Sequence, residues 1–150
     1  MIMKFLALSL LSLSLVSCSL FDEDIPSSKV PSLVKNAFDQ EYANPLDVEW
    51  EKKKDNYEVD FEIEQQDHSA LFNKEGQLLM SKQDIREADL PAQIVSNISK
   101  DFPDHYIDDV DRIETAGKTL FQIELDGPPK EIKIVYSADG QVEENFKFWD

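Results

Sequence analysis

Apolar residues recur along this chain with two different periods. Tyr57, Val59, Phe61 and Ile63 alternate with Glu58, Asp60, Glu62 and Glu64. Strict alternation is the period of a half-buried β-strand, because successive side chains point to opposite faces. Val34, Phe38 and Tyr42, and again Ile94, Ile98 and Phe102, are spaced by four, which aligns each trio on one stripe of a helix. The segments "VPSLVKNAFDQEY" (30–42) and "LPAQIVSNISKDF" (90–102) are one pattern met twice, sixty residues apart. Pro31 and Pro91 suit the first helical turn, where a missing N–H costs nothing. Asp89 is placed to cap the second helix, and Pro45 and Pro103 stop the two helices.

The strands repeat as well. "YEVDFEIE" (57–64) corresponds to "FQIELD" (121–126), and "ALFNKEGQLL" (70–79) to "IVYSADGQVE" (134–143), at an offset of sixty-four. Phe72 matches Tyr136 and Gly76 matches Gly140, leaving four extra residues in the second copy around "HYIDDVDR". Each copy therefore predicts a helix, three strands, and a fourth strand after the glycine turn. All four glycines fall where turns are needed, in "NKEG", "TAGK", "LDGP" and "SADG", and none is left for a phosphate-cradling loop. At the C-terminus "FKFWD" reads as a last strand, with Phe146 and Phe148 towards the core and Trp149 outward or over a sheet edge.

These doubled motifs resemble the PepSY-like, β-lactamase-inhibitor-like lipoproteins typical of Bacteroidetes and related bacteria. The resemblance is carried by the apolar-Pro helix start, "DVEWEKKKDNYEVDF", "NKEGQLL", "ETAGKTLFQIEL" and "YSADGQV". It covers residues 30–148. It implies an α+β fold of two tandem units, 30–89 and 90–150, with helices packed on one face of a curved antiparallel sheet. It also implies a binding or inhibitory module and not an enzyme.

The first hairpin can be registered from sequence. With Asp55-Asn56 as the turn, Trp50 opposes Phe61 and Val48 opposes Ile63 on the inner face. On the outer face Lys53 opposes Glu58, Glu51 opposes Asp60, and Glu49 opposes Glu62. Two of these three outer pairs set acid against acid, which is destabilising by under about 1 kcal/mol each in water. Such a face is either simply solvated, with salt screening the repulsion beyond about 8 Å, or shaped for a basic partner, or for a hard cation such as calcium. In the second copy Gln122, Glu124 and Asp126 lie on the corresponding face. The hairpin at Ala116-Gly117-Lys118 allows a loop of two or three residues.

Export changes the picture of the N-terminus. "MIMKFLALSLLSLSLVSC" has one basic residue, Lys4, and an apolar run from Phe5 to Val16. That run is too short to span about 30 Å of hydrocarbon and has the proportions of a secretory signal peptide over 1–17. Leu15-Val16-Ser17-Cys18 resembles a bacterial lipobox, which implies acylation of Cys18 and attachment to a membrane, the outer one favoured over the inner. Cys18 is the sole cysteine, so no internal disulfide can form. Residues 18–29 then read as a tether. Its Asp22-Glu23-Asp24 is either a surface-export signal or a solvated run.

Charge and the motifs present exclude other functions. The formal net charge of −16 repels nucleic acid and anionic lipid. "KKK" at 52–54 is a short run among acids. His68 and His105, the only two histidines, sit beside acids in expected loops, without the partners a zinc site needs. "DDVD" (108–111) lacks the glycine and terminal glutamate of an EF-hand loop. No GxSxG elbow occurs, and no nucleophile, base and orienting group can be assembled. The sequence reading is thus a non-catalytic envelope lipoprotein that needs no cofactor. It binds a protein or peptide, a basic one by preference, through the outer sheet face and hairpin tips. The candidate contacts are Glu49, Glu51, Glu58, Asp60, Glu62, Gln122, Glu124 and Asp126. The alternative is a cation-dependent module for calcium or charged glycans.

Overall fold

The computed structural model describes residues 22–150, so the leader and Cys18 lie outside the described residues. Two helices, α1 (Ser32–Glu41) and α2 (Ala92–Asp101), accompany eight strands. The strands are β1 (Asp22–Asp24), β2 (Leu46–Lys53), β3 (Asn56–Ile63), β4 (Gln66–Asn73), β5 (Leu78–Asp84), β6 (Tyr106–Thr115), β7 (Lys118–Asp126) and β8 (Ile132–Ser137). They form one antiparallel sheet in chain order. The α+β expectation is met.

The fourfold spacing places the helix stripes as expected. α1 buries Val34 and Phe38 against Trp50, Val59, Phe61 and Phe72. α2 buries Ile94 and Ile98 against Val110, Phe121, Ile123 and Tyr136. Phe61, His68, Gln83, Arg112, Phe121 and Tyr136 are successive cross-strand partners from β3 to β8. Cross-strand partners share a face, so both helices cover the same side of the sheet. The two apolar cores are separated along this row by a polar bridge. In it Arg112 Nη2 donates to Gln83 Oε1 at 3.0 Å, and Gln83 Nε2 donates to Gln66 Oε1 at 3.0 Å.

Several expectations are corrected. Pro31 and Pro91 hold the N-cap positions. Asp89 caps nothing: a short 3-10 turn, Glu87–Asp89, intervenes, and both Asp89 carboxylate oxygens accept from the Arg86 guanidinium at 2.8 and 3.0 Å. The first hairpin turns at Lys54-Asp55, one residue earlier than expected, with Lys54 at φ 57°. Trp50 consequently opposes Val59, Glu51 opposes Glu58, and Glu49 opposes Asp60. A bulge between Leu46 and Glu49, with Asp47 at φ 49°, removes the expected Val48–Ile63 pair and leaves Val48 38% exposed. The second hairpin has a two-residue loop, Ala116-Gly117, both at positive φ, which matches the twist of the flanking strands.

The supposed tether is also partly structured. Residues 22–24 pair with β2, setting Glu23 opposite Lys52 and Asp24 opposite Glu51. An irregular composition concealed this strand because its partner is supplied by another element. At the other end, 146–150 is not a strand. After a single bridge between Tyr136 and Val142 the chain leaves the sheet edge and lies across the face opposite the helices.

Candidate partner-binding face

The face opposite the helices is built by the alternate residues of every strand. Its rows run Glu51–Glu58–Leu71–Met80, then Glu49–Asp60–Ser69–Lys82–Ile113–Leu120. A further row runs Glu62–Asp67 and continues as Asp84–Asp111–Gln122–Val135. Acid therefore faces acid at Asp24 and Glu51, Glu51 and Glu58, Glu49 and Asp60, Glu62 and Asp67, Asp84 and Asp111, and Asp109 and Glu124. The corrected register keeps the like-charge ladder and extends it across the sheet.

The C-terminal segment divides this face into a covered and an open part. Trp149 is buried over a small apolar cluster of Ile113, Leu120 and Val135, with Phe146 and Phe148 half-buried beside it. Its indole Nε1 donates to Glu58 Oε2 at 3.0 Å. Its backbone N–H donates to Gln122 Oε1 at 2.7 Å, while Gln122 Nε2 donates to the Trp149 carbonyl at 2.9 Å and to Asp111 Oδ2 at 3.1 Å. Lys82 Nζ donates to that same carbonyl at 3.1 Å. Lys133 ties Asp150 and Glu124 together at 2.8 and 3.0 Å. Glu58 and Gln122, expected as partner contacts, are here ligands of the chain's own tail. Trp149 is neither outward nor over an edge, because the pocket between β3 and β7 buries its ring and satisfies its polar atoms together.

Burial perturbs the carboxylates beneath. Desolvation raises Glu58 above the ordinary glutamate range, opposed by the Trp149 hydrogen bond and Lys53. Asp111 is pushed up to about 6 by burial, opposed by Lys82 and reinforced by Asp109 and Asp84. Asp84 is raised by burial and then by Asp109 and Asp67. These raised carboxyls reflect a low-dielectric, acid-crowded surface.

The remaining candidates occupy the open part. Glu49 and Asp126 are exposed; Glu51, Asp60, Glu62 and Glu124 are half-buried. Lys53 contacts Glu51 at 2.5 Å, and Asp126 accepts a very short hydrogen bond from the Tyr106 hydroxyl. Asp67, Asp84 and Asp109 join the same face and were missed in the sequence. Asp67 lay in a stretch read as loop, and a bulge at Asp108 breaks the alternation that would have placed Asp109. His68 lies in β4, not in a loop, stacked on Phe61 with ring centroids 5.3 Å apart, and its burial lowers its pKa. His105 Nε2 lies 3.1 Å from the Lys130 carbonyl. Among the described residues no three His, Cys, Asp or Glu side chains are grouped so as to hold a metal ion. No helix among them is long and apolar enough to cross a membrane.

Two helices over one face of an eight-stranded antiparallel sheet, with a polar second face, define an α+β module. The family described as "Putative beta-lactamase-inhibitor-like, PepSY-like" matches residues 19–80 and again 63–144, and the chain belongs to it. No curated protein matches the sequence. Solved structures with this fold include a BLIP-like protein of Bacteroides fragilis, 20% identical, covering 80% of this chain and 85% of its own, with a TM-score of 0.66. A DUF2874-family protein of Bacteroides uniformis is 16% identical over 75% of this chain and 85% of its own, at 0.69. A protein of Bacteroides eggerthii described as "putative periplasmic" is 19% identical over the same shares, at 0.70. At these identities the likeness establishes the fold.

Proposed function

We propose that this chain is a non-catalytic cell-envelope lipoprotein, anchored through Cys18 and built as two tandem units, that binds a protein or peptide carrying basic side chains. The binding surface is the open part of the acidic sheet face and the adjoining hairpin tips. The observation that carries the reading is the direct opposition of carboxylates in six cross-strand pairs on one face. Like charges so placed weaken a sheet, and a basic partner relieves that repulsion on binding. Kinship with inhibitor-like proteins and a structural neighbour described as periplasmic support a binding role in the envelope. Glu49, Asp60 and Glu62 are the proposed contacts, with Glu51, Glu124 and Asp126 at the margins. Glu58 and Gln122 act indirectly by holding the tail that bounds the site.

The test is a paired capture from the envelope of the source organism. The full chain and a variant with Glu49→Lys, Asp60→Lys and Glu62→Lys serve as baits. A partner retained by the first and depleted at least tenfold on the second supports both function and face. Equal recovery by both baits removes the face assignment.

A further inference from the structure

Among the described residues the outer edge of β8 is open where the sheet's own pattern supplies a neighbour, and the segment that fits it is β1. β4 and β8 stand in matching positions: each is followed by a glycine turn, and Phe72↔Leu78 recurs as Tyr136↔Val142. β4 then continues its pairing with β5 as far as His68↔Gln83. β8 does not, because the chain leaves it after Glu143, whose N–H donates to the Val135 carbonyl at 2.8 Å. Val135 and Ser137 use their outward backbone groups on Glu143 and Gln141. Alternation places the N–H and C=O of Lys133 on that same outward edge.

β1 and β5 match at the other end of the unit. Asp24 pairs with Glu51 as Asp84 pairs with Asp111, and Ile25 N–H donates to the Trp50 carbonyl as Ile85 N–H donates to the Val110 carbonyl, both at 2.9 Å. β5 is thus shared, pairing with β4 on one side and β6 on the other. Among the described residues β1 pairs only with β2.

We infer that β1 of a second copy adds to the β8 edge, extending the sheet head to tail as β5 extends it from β4 within one copy. The inference rests on the tandem-unit reading. Transferring the β4–β5 register sets Ile132 opposite Glu23 of the second copy and Lys133 opposite its Asp22. Charge tells against β1 on β1, which sets Asp22-Glu23-Asp24 against its own copy. β8 carries both signs, with Lys130 and Glu131 flanking it and Lys133 held by Glu124 and Asp150. A head-to-tail contact does not close on itself, so copies add in series.

The test introduces Glu23→Cys and Ile132→Cys, singly and together, into the full chain expressed with its own leader. Opposed residues of a non-hydrogen-bonded pair lie about 4.5 Å apart at Cα, within disulfide reach. The unsubstituted chain, with Cys18 as its sole cysteine, sets the background. Mild oxidation should give a ladder of dimers, trimers and longer species from the double variant and a dimer from mixed single variants. Lys133→Pro removes an outward N–H and also the ammonium held by Asp150 and Glu124, so Lys133→Ala, which loses the ammonium alone, is its control: Lys133→Pro should abolish the ladder that Lys133→Ala still gives. A folded double variant that stays monomeric overturns the contact, as does a ladder that survives Lys133→Pro. If hydrogen exchange shows Phe38→Ala and Ile98→Ala each loosening its own half while no ladder forms, the tandem reading stands and the contact alone falls.

Discussion

Trp149 and Asp111 show how single side chains hold the second face together. Trp149 is 8% exposed, and its two N–H groups and its carbonyl are all bonded. Truncation to alanine should cost roughly 3 kcal/mol from lost burial, read as a lower urea midpoint. Trp149→Phe keeps most of the packing but strands the Glu58 carboxylate without its donor, for a loss of about 1 kcal/mol. Asp111 gives a pH signature. Its folded-state pKa of about 6 lies above the unfolded value, so the folded state binds its proton more tightly. The associated stability is full below about pH 4 and is lost as pH rises through about 6. The protein should therefore become more stable as pH falls from 7 to 5. Asp111→Asn should raise the melting temperature at pH 7 and flatten that slope. An unchanged slope would show that other carboxyls dominate.

The turns and helices carry the element-scale predictions. Gly76 has φ 83°, and a Cβ there would lie 2.7 Å from the Leu33 carbonyl oxygen of α1. Gly117 has φ 76° and nothing within 4 Å. Gly117→Ala therefore costs the left-handed conformation alone, about 1 kcal/mol, whereas Gly76→Ala must also push the helix from the turn and should cost about twice as much or more. Comparison of their unfolding midpoints isolates the turn-to-helix contact. In the helices, Phe38 and Ile98 belong to separate apolar clusters. Phe38→Ala should speed amide exchange in β2–β4 more than in β6–β8, and Ile98→Ala the reverse. Either change should cost about 2–5 kcal/mol. The helices and central strands were legible because their periods are local. The first hairpin register was not: shifting the turn by one residue moves every facing pair by two, and both registers keep Trp50 on the helix face with Val59 and Phe61, so the face pattern alone does not choose between them.

At the scale of the molecule, the two faces of the sheet have separate tasks. One is closed by helices and stabilises the fold; the other gathers carboxylates from distant strands. Because that ladder is partly exposed, its repulsion is screened by salt. Raising ionic strength from 10 to 150 mM should modestly increase the melting temperature while weakening capture of a basic partner. A partner whose retention is indifferent to salt would be held by apolar contacts instead.

The sequence by itself determined the α+β class, the repeated helix–strand pattern, the inner faces of β3 and β7, and the family, since all follow from residue periodicity and short motifs. Only the tertiary structure decided that residues 22–24 form an edge strand, that the tail lies across the sheet and not along it, and which acids remain open. Those outcomes turn on contacts between residues far apart in the chain, such as Trp149 with Glu58. No local period encodes such a contact: it forms because one site can bury the ring and bond its polar atoms together.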